Sequence, residues 1–206
     1  MKRLPKVLTS FLLSTVLLSS AWADEAYLPN PATAQMDQAP LVEIRNAKRV
    51  FPGILSGGQP TDDQLAKAKS SGFKTIINLR PVSETQGESE AITVRGLGMN
   101  YINIPVAGAG GITSENSQVL IDALADTDQY PVMVHCASGN RVGALFALDA
   151  ALRGKLPVED AIVIGKQAGM TGLESVARNR IDLIGEAQSK CQSTHSELSV
   201  AASSEC

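Results

Sequence analysis

Aromatic and basic residues are both scarce in this chain of 206 residues. Phe, Trp and Tyr make up 4% of it, and 18 Lys and Arg are outnumbered by 21 Asp and Glu, for a formal net charge of -3. A sequence-independent grip on nucleic acid needs clustered basic residues, so we expect no nucleic-acid partner. The two His and three Cys are too widely spaced for a zinc site, and we expect no metal.

The first 23 residues have the three parts of a secretory signal peptide. Lys2, Arg3 and Lys6 are followed by an apolar run over residues 7–18, and Ala21-Trp22-Ala23 fits a cleavage site. The run is too short to span a bilayer comfortably, which makes an uncleaved anchor the weaker alternative. We predict cleavage after Ala23, a periplasmic or secreted location, and no stable membrane span in the mature chain.

Composition and periodicity divide the rest of the chain. Residues 24–40 carry three Pro and little periodicity and predict a linker, whereas residues 189–206 are rich in Ser and predict a flexible tail. Between them, residues 41–188 alternate strand and helix signals, such as the capping box of Thr61 and Gln64. This alternation predicts one α/β domain with a mostly parallel central sheet flanked by helices.

One segment carries the residues for chemistry. An apolar strand over 132–134 leads to His135 and Cys136, and after four intervening residues Arg141 begins a helix. Backbone N–H groups and the helix dipole at such a turn stabilise an anion, and a thiol placed there ionises more readily. The planar guanidinium of Arg141 fits two oxygens of a tetrahedral oxyanion. The pattern predicts an oxyanion cradle with a sulfur nucleophile at its floor.

In this segment and upstream of it, the chain resembles cysteine-dependent phosphatases of the dual-specificity type, and more closely the bacterial beta-lactamase-hydrolase-like phosphatase domain. The resemblance runs from about residue 50 to 186. Its motifs are Ser56-Gly57-Gly58-Gln59-Pro60, the segment GFKTIINLR at 72–80, YINIPV at 101–106 and the Cys136 loop.

The resemblance implies a protein-tyrosine-phosphatase-like fold, no cofactor, and a small phosphorylated substrate. It also implies that Cys136 is the nucleophile, Arg141 the phosphate clamp and His135 a residue that tunes the thiolate. The backbone amides that would complete the cradle belong to Ala137, Ser138, Gly139, Asn140 and Arg141.

Three departures from the family pattern bear on activity. The loop has four residues between Cys and Arg instead of five, and Val142 stands where a Ser or Thr is common. The Asp that usually serves as general acid is replaced by the sequence AGAGG at 107–111. Glu115 is the nearest carboxylate after that loop and could substitute, although it also suits the first turn of a helix. Arg80 and Gln59 could face the same pocket, since ligands bind beyond the carboxyl ends of parallel strands.

Three functions therefore remain open. The leading one is an exported phosphoric-monoester hydrolase that forms a phosphocysteine at Cys136. The short loop and the missing Asp leave two alternatives: a rhodanese-type sulfurtransferase with a persulfide on Cys136 and a sulfur-containing substrate, or a non-catalytic oxyanion-binding domain. The odd number of Cys slightly favours a bridge between Cys191 and Cys206, which would leave Cys136 unpaired.

Overall fold

The computed structural model describes residues 27–84 and 89–203, where four strands alternate with helices. The strands are Ile54–Gly57 (β1), Thr75–Asn78 (β2), Asn100–Asn103 (β3) and Val132–His135 (β4). The helices are Asp62–Ser70 (α1), Ser89–Gly96 (α2), Ser114–Ala123 (α3), Asn140–Leu152 (α4), Val158–Gln167 (α5) and Glu174–Ser203 (α6). Short 3-10 turns cover Pro31–Thr33, Val82–Glu84 and Thr127–Gln129. The predicted signal peptide lies outside the described residues.

The four strands form one parallel sheet in the order β1-β4-β2-β3. The prediction of a parallel central sheet flanked by helices is confirmed. In this register Gly57, His135, Asn78 and Asn103 lie side by side at the carboxyl ends of the strands. The loop that carries Cys136 leaves from the second of these positions, between β1 and β2.

Both faces of the sheet are covered, which explains the continuous apolar runs of its strands. Successive side chains point to opposite faces: Ile77 packs in the cluster that holds α4, and Ile76 packs with Leu65 of α1 and Val94 of α2. Helix α4 is almost wholly buried, with residues 141–150 all enclosed. The predicted capping box at the start of α1 is confirmed, because Thr61 and Gln64 exchange their hydrogen bonds.

The described parts of the predicted linker and of the predicted tail, residues 27–40 and 189–203, have more regular structure or burial than composition predicts. In the segment predicted as a linker, Thr33 and Ala39 are fully buried, and Asn30 Nδ2 donates to Leu124 O at 2.9 Å. A few buried side chains and one buried amide therefore hold this proline-containing segment on the domain. Helix α6 runs to Ser203 and so includes most of the segment predicted as a flexible tail. Across the described residues, no helix combines the length and apolarity needed to cross a bilayer.

Candidate active site

The Cys136 loop connects the carboxyl end of β4 to the first turn of α4. Its carbonyl groups are held from outside the loop: Ala137 O accepts from the backbone N–H of Gln59 at 3.4 Å, and Ser138 O accepts from Asn46 Nδ2 at 3.1 Å. In a planar trans peptide the N–H points away from the C=O. The N–H of Ser138 is therefore turned away from Gln59, whereas the antiparallel bridge between Gly58 and Ser138 directs the N–H of Gly139 toward Gly57 of β1.

Most N–H groups of this segment have no protein acceptor. Within residues 27–84 and 89–203, no hydrogen bond to a protein oxygen is made by the backbone N–H of Ala137, Ser138, Asn140, Arg141 or Val142. Three of these five belong to the first turn of α4, where helix geometry leaves donors unpaired and the dipole is positive. The other two precede it in the loop, so five backbone donors close to Cys136 along the chain are left open.

Gly139 makes this curvature possible. Its φ is +84°, a left-handed conformation that L side chains rarely adopt, and a Cβ at this position would lie 3.0 Å from Asn46 Nδ2. On the outer side, a Cβ on Gly58 would lie 3.0 Å from Ala137 O. The paired glycines of the motif at 56–60 thus allow the β1 segment to lie directly against the backbone of the loop.

The guanidinium of Arg141 is held at one end by a carboxylate. Glu84 accepts from Arg141 Nη1 at 2.9 Å and from Nη2 at 2.6 Å, while Val106 O accepts a second hydrogen of Nη1 at 2.7 Å. Three of the five guanidinium N–H groups are committed in this way. The other two, on Nε and Nη2, lie together on the lateral edge of the group and form a fork suited to two oxygens.

The pKa shifts of Arg141 and Glu84 agree with this contact between them. Burial alone would lower the pKa of Arg141, but its hydrogen bonds to Glu84 and the nearby Cys136 raise it above the ordinary value. Conversely, the hydrogen bonds from Arg141 hold the pKa of Glu84 below its usual range, despite some desolvation. At neutral pH the two groups are therefore an ion pair, and Arg141 retains its charge although it is only 7% exposed.

Cys136 lies at the floor of the loop and is 1% exposed. Its backbone N–H donates to Gly57 O at 3.2 Å, which fixes the residue between β1 and the loop.

A second polar network contacts the side chain of His135. The fully buried His135 ring places Nε2 2.6 Å from Glu90 Oε1, and Glu90 Oε2 accepts from Gln59 Nε2 at 2.6 Å. Gln59 Oε1 in turn accepts from Arg80 Nη1 at 2.6 Å. Burial alone would raise the pKa of Glu90, but His135, Gln59 and Arg80 lower it overall. This chain of contacts connects His135, at the start of the Cys136 loop, to a polar cavity of about 330 Å³ lined by Gln59, Pro60, Asp62, Arg80, Glu84, Ser89 and Glu90.

Most of the predicted site residues are thus brought together. The side chain of Asn140 has a structural contact that the sequence did not predict. Its Oδ1 accepts from the backbone N–H of Thr171 at 2.8 Å, of Gly172 at 3.1 Å and of Leu173 at 3.2 Å. The side-chain oxygen therefore ties the start of α4 to the segment before α6.

Glu115 lies in the first turn of α3 and is exposed. Its own backbone N–H and the hydroxyls of Thr113 and Ser114 lower its pKa, and Arg180 of α6 adds to the effect. Within the described chain, none of its hydrogen bonds is to the Cys136 loop. The structure thus places it at a helix N-terminus, the position that acidic residues ordinarily favour.

Sequence reasoning missed three partners: Asn46, Glu84 and Glu90. They contact the loop from 45 to 92 residues away along the chain, and nothing in their local patterns distinguishes them from surface residues. One signal was available in Asn78, a polar residue in the apolar run of β2. Asn78 is fully buried and donates to Glu90 Oε2 at 3.2 Å. The side chains of Cys191 and Cys206 lie outside the described residues, so their pairing stays a prediction.

Comparison with known proteins places this geometry in a family. Residues 48–153 match the family described as beta-lactamase hydrolase-like protein, phosphatase-like domain. That match covers just over half of the chain and includes β1, the whole Cys136 loop and α4. The chain belongs to this family.

Individual relatives agree with the assignment to this phosphatase-like family. The beta-lactamase hydrolase-like protein of Xylella fastidiosa is 33% identical over 120 residues, which are 56% of this chain and 27% of that protein. The chain thus spans about a quarter of the length of that curated relative. Among solved structures, the Neisseria meningitidis protein nma1982 has a TM-score of 0.53 at 25% identity, over 66% of this chain and 95% of that one.

More distant structures show the fold of this phosphatase-like domain. The catalytic core of the PP-IP phosphatase SIW14 from S. cerevisiae has a TM-score of 0.53 at 16% identity, over 74% of this chain and 96% of that one. The fold is that of the cysteine-dependent, protein-tyrosine-phosphatase-like enzymes, as the sequence motifs predicted.

Proposed function

We propose that the chain is a phosphoric-monoester hydrolase that works through a phosphocysteine at Cys136. The observation that carries the proposal is the set of five N–H groups, in the Cys136 loop and the first turn of α4, that have no protein acceptor in the described chain, together with the lateral edge of Arg141 beside Cys136. Such donors can bind the three non-bridging oxygens of a phosphoryl group and the charge that they carry in the transition state.

The proposed reaction has two steps. The Cys136 thiolate attacks phosphorus, an S–P bond forms, and the bond from phosphorus to the leaving oxygen breaks. Water then attacks the phosphocysteine, the S–P bond breaks, and inorganic phosphate and the thiolate are released. In both steps Arg141 and the loop amides hold the phosphoryl oxygens, while Glu84 fixes the orientation of Arg141.

The leaving group decides which esters the enzyme would favour. The loop at 107–111 offers no carboxylate to protonate a departing oxygen, and a general acid typically contributes about 10²–10⁴-fold. A phenolate leaves without such help far more easily than an alkoxide. We therefore expect aryl phosphates to be cleaved faster than alkyl phosphates.

The same absence of a carboxylate favours a second candidate. A sulfurtransferase that carries a persulfide on Cys136 does not need to protonate an alkoxide, so the loop at 107–111 would not limit it. If neither reaction occurs, a cradle that binds oxyanions without turnover is the third candidate.

Purified protein assayed with an aryl phosphate, and separately with thiosulfate plus cyanide, distinguishes these candidates. We expect phosphate release that Cys136→Ser abolishes. Thiocyanate formation without phosphate release would overturn the hydrolase in favour of the sulfurtransferase. No turnover in either assay, with phosphate still bound, would favour the oxyanion-binding domain.

We also propose that the enzyme acts outside the cytoplasm, on the basis of the signal-peptide pattern in residues 1–23. Expression of the full chain in a Gram-negative host, followed by fractionation and N-terminal sequencing, tests this. We expect a periplasmic product that starts at Asp24. Full-length protein in the cytoplasmic fraction would contradict the proposal.

A further inference from the structure

The surroundings of the His135 ring constrain its protonation. Nε2 lies 2.6 Å from Glu90 Oε1, and Nδ1 lies 3.4 Å from the carbonyl oxygen of Cys136. Both neighbours are oxygen acceptors, and the ring is fully buried, so water does not provide other partners. A neutral imidazole has one donor and one acceptor nitrogen, whereas an imidazolium has two donors.

Glu90 is arranged as an ionised carboxylate. Besides the contact with His135, its Oε2 accepts from Gln59 Nε2 at 2.6 Å and from Asn78 Nδ2 at 3.2 Å. Each of these neighbours can donate a hydrogen bond, which favours the charged form of the acid. A carboxylate on Nε2 and a carbonyl on Nδ1 are the pair of partners that a doubly protonated ring satisfies.

We propose that Glu90 is a positioning residue that keeps His135 doubly protonated beside Cys136. The imidazolium then stabilises the Cys136 thiolate in addition to the loop amides and Arg141. The value of this for catalysis rests on the proposed function, but the protonation of the ring and the reactivity of the sulfur can be measured without turnover.

Other charged and titratable groups reach this pair from several elements. Arg80, after β2, contacts Gln59, and Tyr101 of β3 is hydrogen-bonded to Asn78 through its hydroxyl. Arg141 of α4 interacts with Cys136. Both arginines are cationic and disfavour a further positive charge on the ring. Of the carboxylates in the described chain, it is Glu90 that contacts the ring and balances its charge.

Removal of the Glu90 charge should shift the ionisation of Cys136 in opposite directions, depending on whether the His135 ring is charged or neutral. If the ring is an imidazolium, Glu90→Gln leaves a buried cation without its counter-charge, and the ring loses its proton. The Cys136 thiolate then loses a neighbouring cation and forms only at higher pH. If the ring is already neutral, the substitution removes only a nearby negative charge, and the thiolate forms at lower pH.

The experiment compares wild type, Glu90→Gln and the matched control Glu159→Gln, whose carboxylate is exposed on α5. Alkylation of Cys136 by iodoacetamide is followed from pH 5 to pH 9 by peptide mass spectrometry, which separates it from Cys191 and Cys206. We expect Glu90→Gln to slow alkylation at pH 6.5 by about tenfold and to move its midpoint to higher pH. The control should match wild type.

Nitrogen NMR of ¹⁵N-histidine-labelled protein gives the second readout. His135→Asn assigns the signals, because the chain has two histidines. We expect an imidazolium spectrum for His135 in the wild type at pH 7 and a neutral one in Glu90→Gln. A neutral ring in the wild type, or an unchanged or lower alkylation midpoint in the variant, would overturn the proposal.

The wild-type spectrum decides the question even if Glu90→Gln fails to fold. The outcome is also separate from that of the proposed function. A chain that releases no phosphate, yet shows the imidazolium and the shift in alkylation, would retain this inference and lose the hydrolase.

Discussion

Two loops leave the carboxyl edge of the same sheet and lead into helices, but their carbonyl groups are bonded in different ways. In the loop at 107–111, Gly111 N–H donates to Ala107 O at 3.0 Å, and Ile112 N–H donates to Ala109 O at 3.2 Å, so these carbonyls bond within the loop or directly after it. In the Cys136 loop, the carbonyls of Ala137 and Ser138 are bonded to groups from other segments.

This contrast lies in the carbonyls, because both loops leave several N–H groups without a protein acceptor in the described chain. A loop whose carbonyls bond to its own N–H groups folds back on itself and is not held by the rest of the protein. A loop whose carbonyls are held by outside groups can keep a row of donors open. In this chain the outside groups are Asn46 and the motif at 56–60, so the site depends on segments about 80–90 residues away from Cys136 along the chain.

The largest loss of activity should come from a substitution of Arg141, the charged donor beside the Cys136 loop. Arg141→Lys keeps the charge but removes the planar fork and the two-point contact with Glu84. We expect kcat/KM for an aryl phosphate to fall by about a thousandfold. The exposed Arg95→Lys is the matched control and should retain wild-type activity. A loss of less than about tenfold would mean that the loop amides alone hold the phosphoryl group.

Glu84→Gln should weaken the orientation of Arg141 without removing any donor from the cradle. We expect KM to rise by about tenfold or more at pH 7, with a smaller change in kcat. The pKa of Glu84 is lowered from its ordinary 4.5 in the folded protein. The ion pair is thus present above that pH and is lost as pH falls through the lowered pKa.

The KM values of wild type and Glu84→Gln should consequently converge only in the strongly acidic range, below pH 4.5. Steady-state kinetics between pH 3.5 and pH 7.5 measure this. If instead the substitution lowers KM at neutral pH, Glu84 competes with the substrate for Arg141 and does not orient it.

Asn46→Gly removes the outside support of the loop while it preserves the backbone. Asn46 has a φ of +53°, which Gly adopts readily, and its Nδ2 bonds to Ser138 O and Gly169 O. We expect a loss of about 1–2 kcal/mol in urea unfolding and about tenfold in kcat/KM.

Lys155→Gly is the matched control for this substitution, since Lys155 is exposed and also has a positive φ, +58°. It should share the backbone effect and leave kcat/KM unchanged. Equal activity losses in the two variants would show that the hydrogen bonds of Asn46 do not hold the loop open.

The smallest expected effect is a gain of activity from a substitution in the loop at 107–111. Ala107 is exposed and directly follows Val106, whose carbonyl contacts Arg141. Ala107→Asp adds a carboxylic acid beside the cradle, and we expect kcat for an alkyl phosphate to rise about threefold to tenfold. Ala107→Asn has the same shape without the acid and should give no gain. A gain in both variants would assign the effect to shape and exclude proton transfer.

The fold and the position of the site could be predicted because both depend on local patterns. The apolar runs of β2 and β4, the capping box at Thr61 and the order of the motifs around Cys136 are all visible within a few residues. They led to a parallel, two-sided sheet and to one loop at its carboxyl edge.

The partners of the site could not be predicted, because long-range contacts determine them. Glu84 and Glu90 resemble exposed acidic residues in a turn and a helix, and only the packing of α2 against the sheet brings Glu90 to His135. The same holds for residues 27–40, where composition predicts a linker but two side chains, Thr33 and Ala39, are fully buried.

The most direct test of the central claim is to observe the covalent intermediate on Cys136. Wild-type protein is mixed with an aryl phosphate, denatured within one turnover at neutral pH, digested and examined by mass spectrometry. The account predicts that the peptide containing Cys136 gains the mass of one phosphoryl group, and that Cys136→Ser gains none. An unmodified Cys136 peptide during steady phosphate release, or a phosphoryl group on another residue, would contradict it.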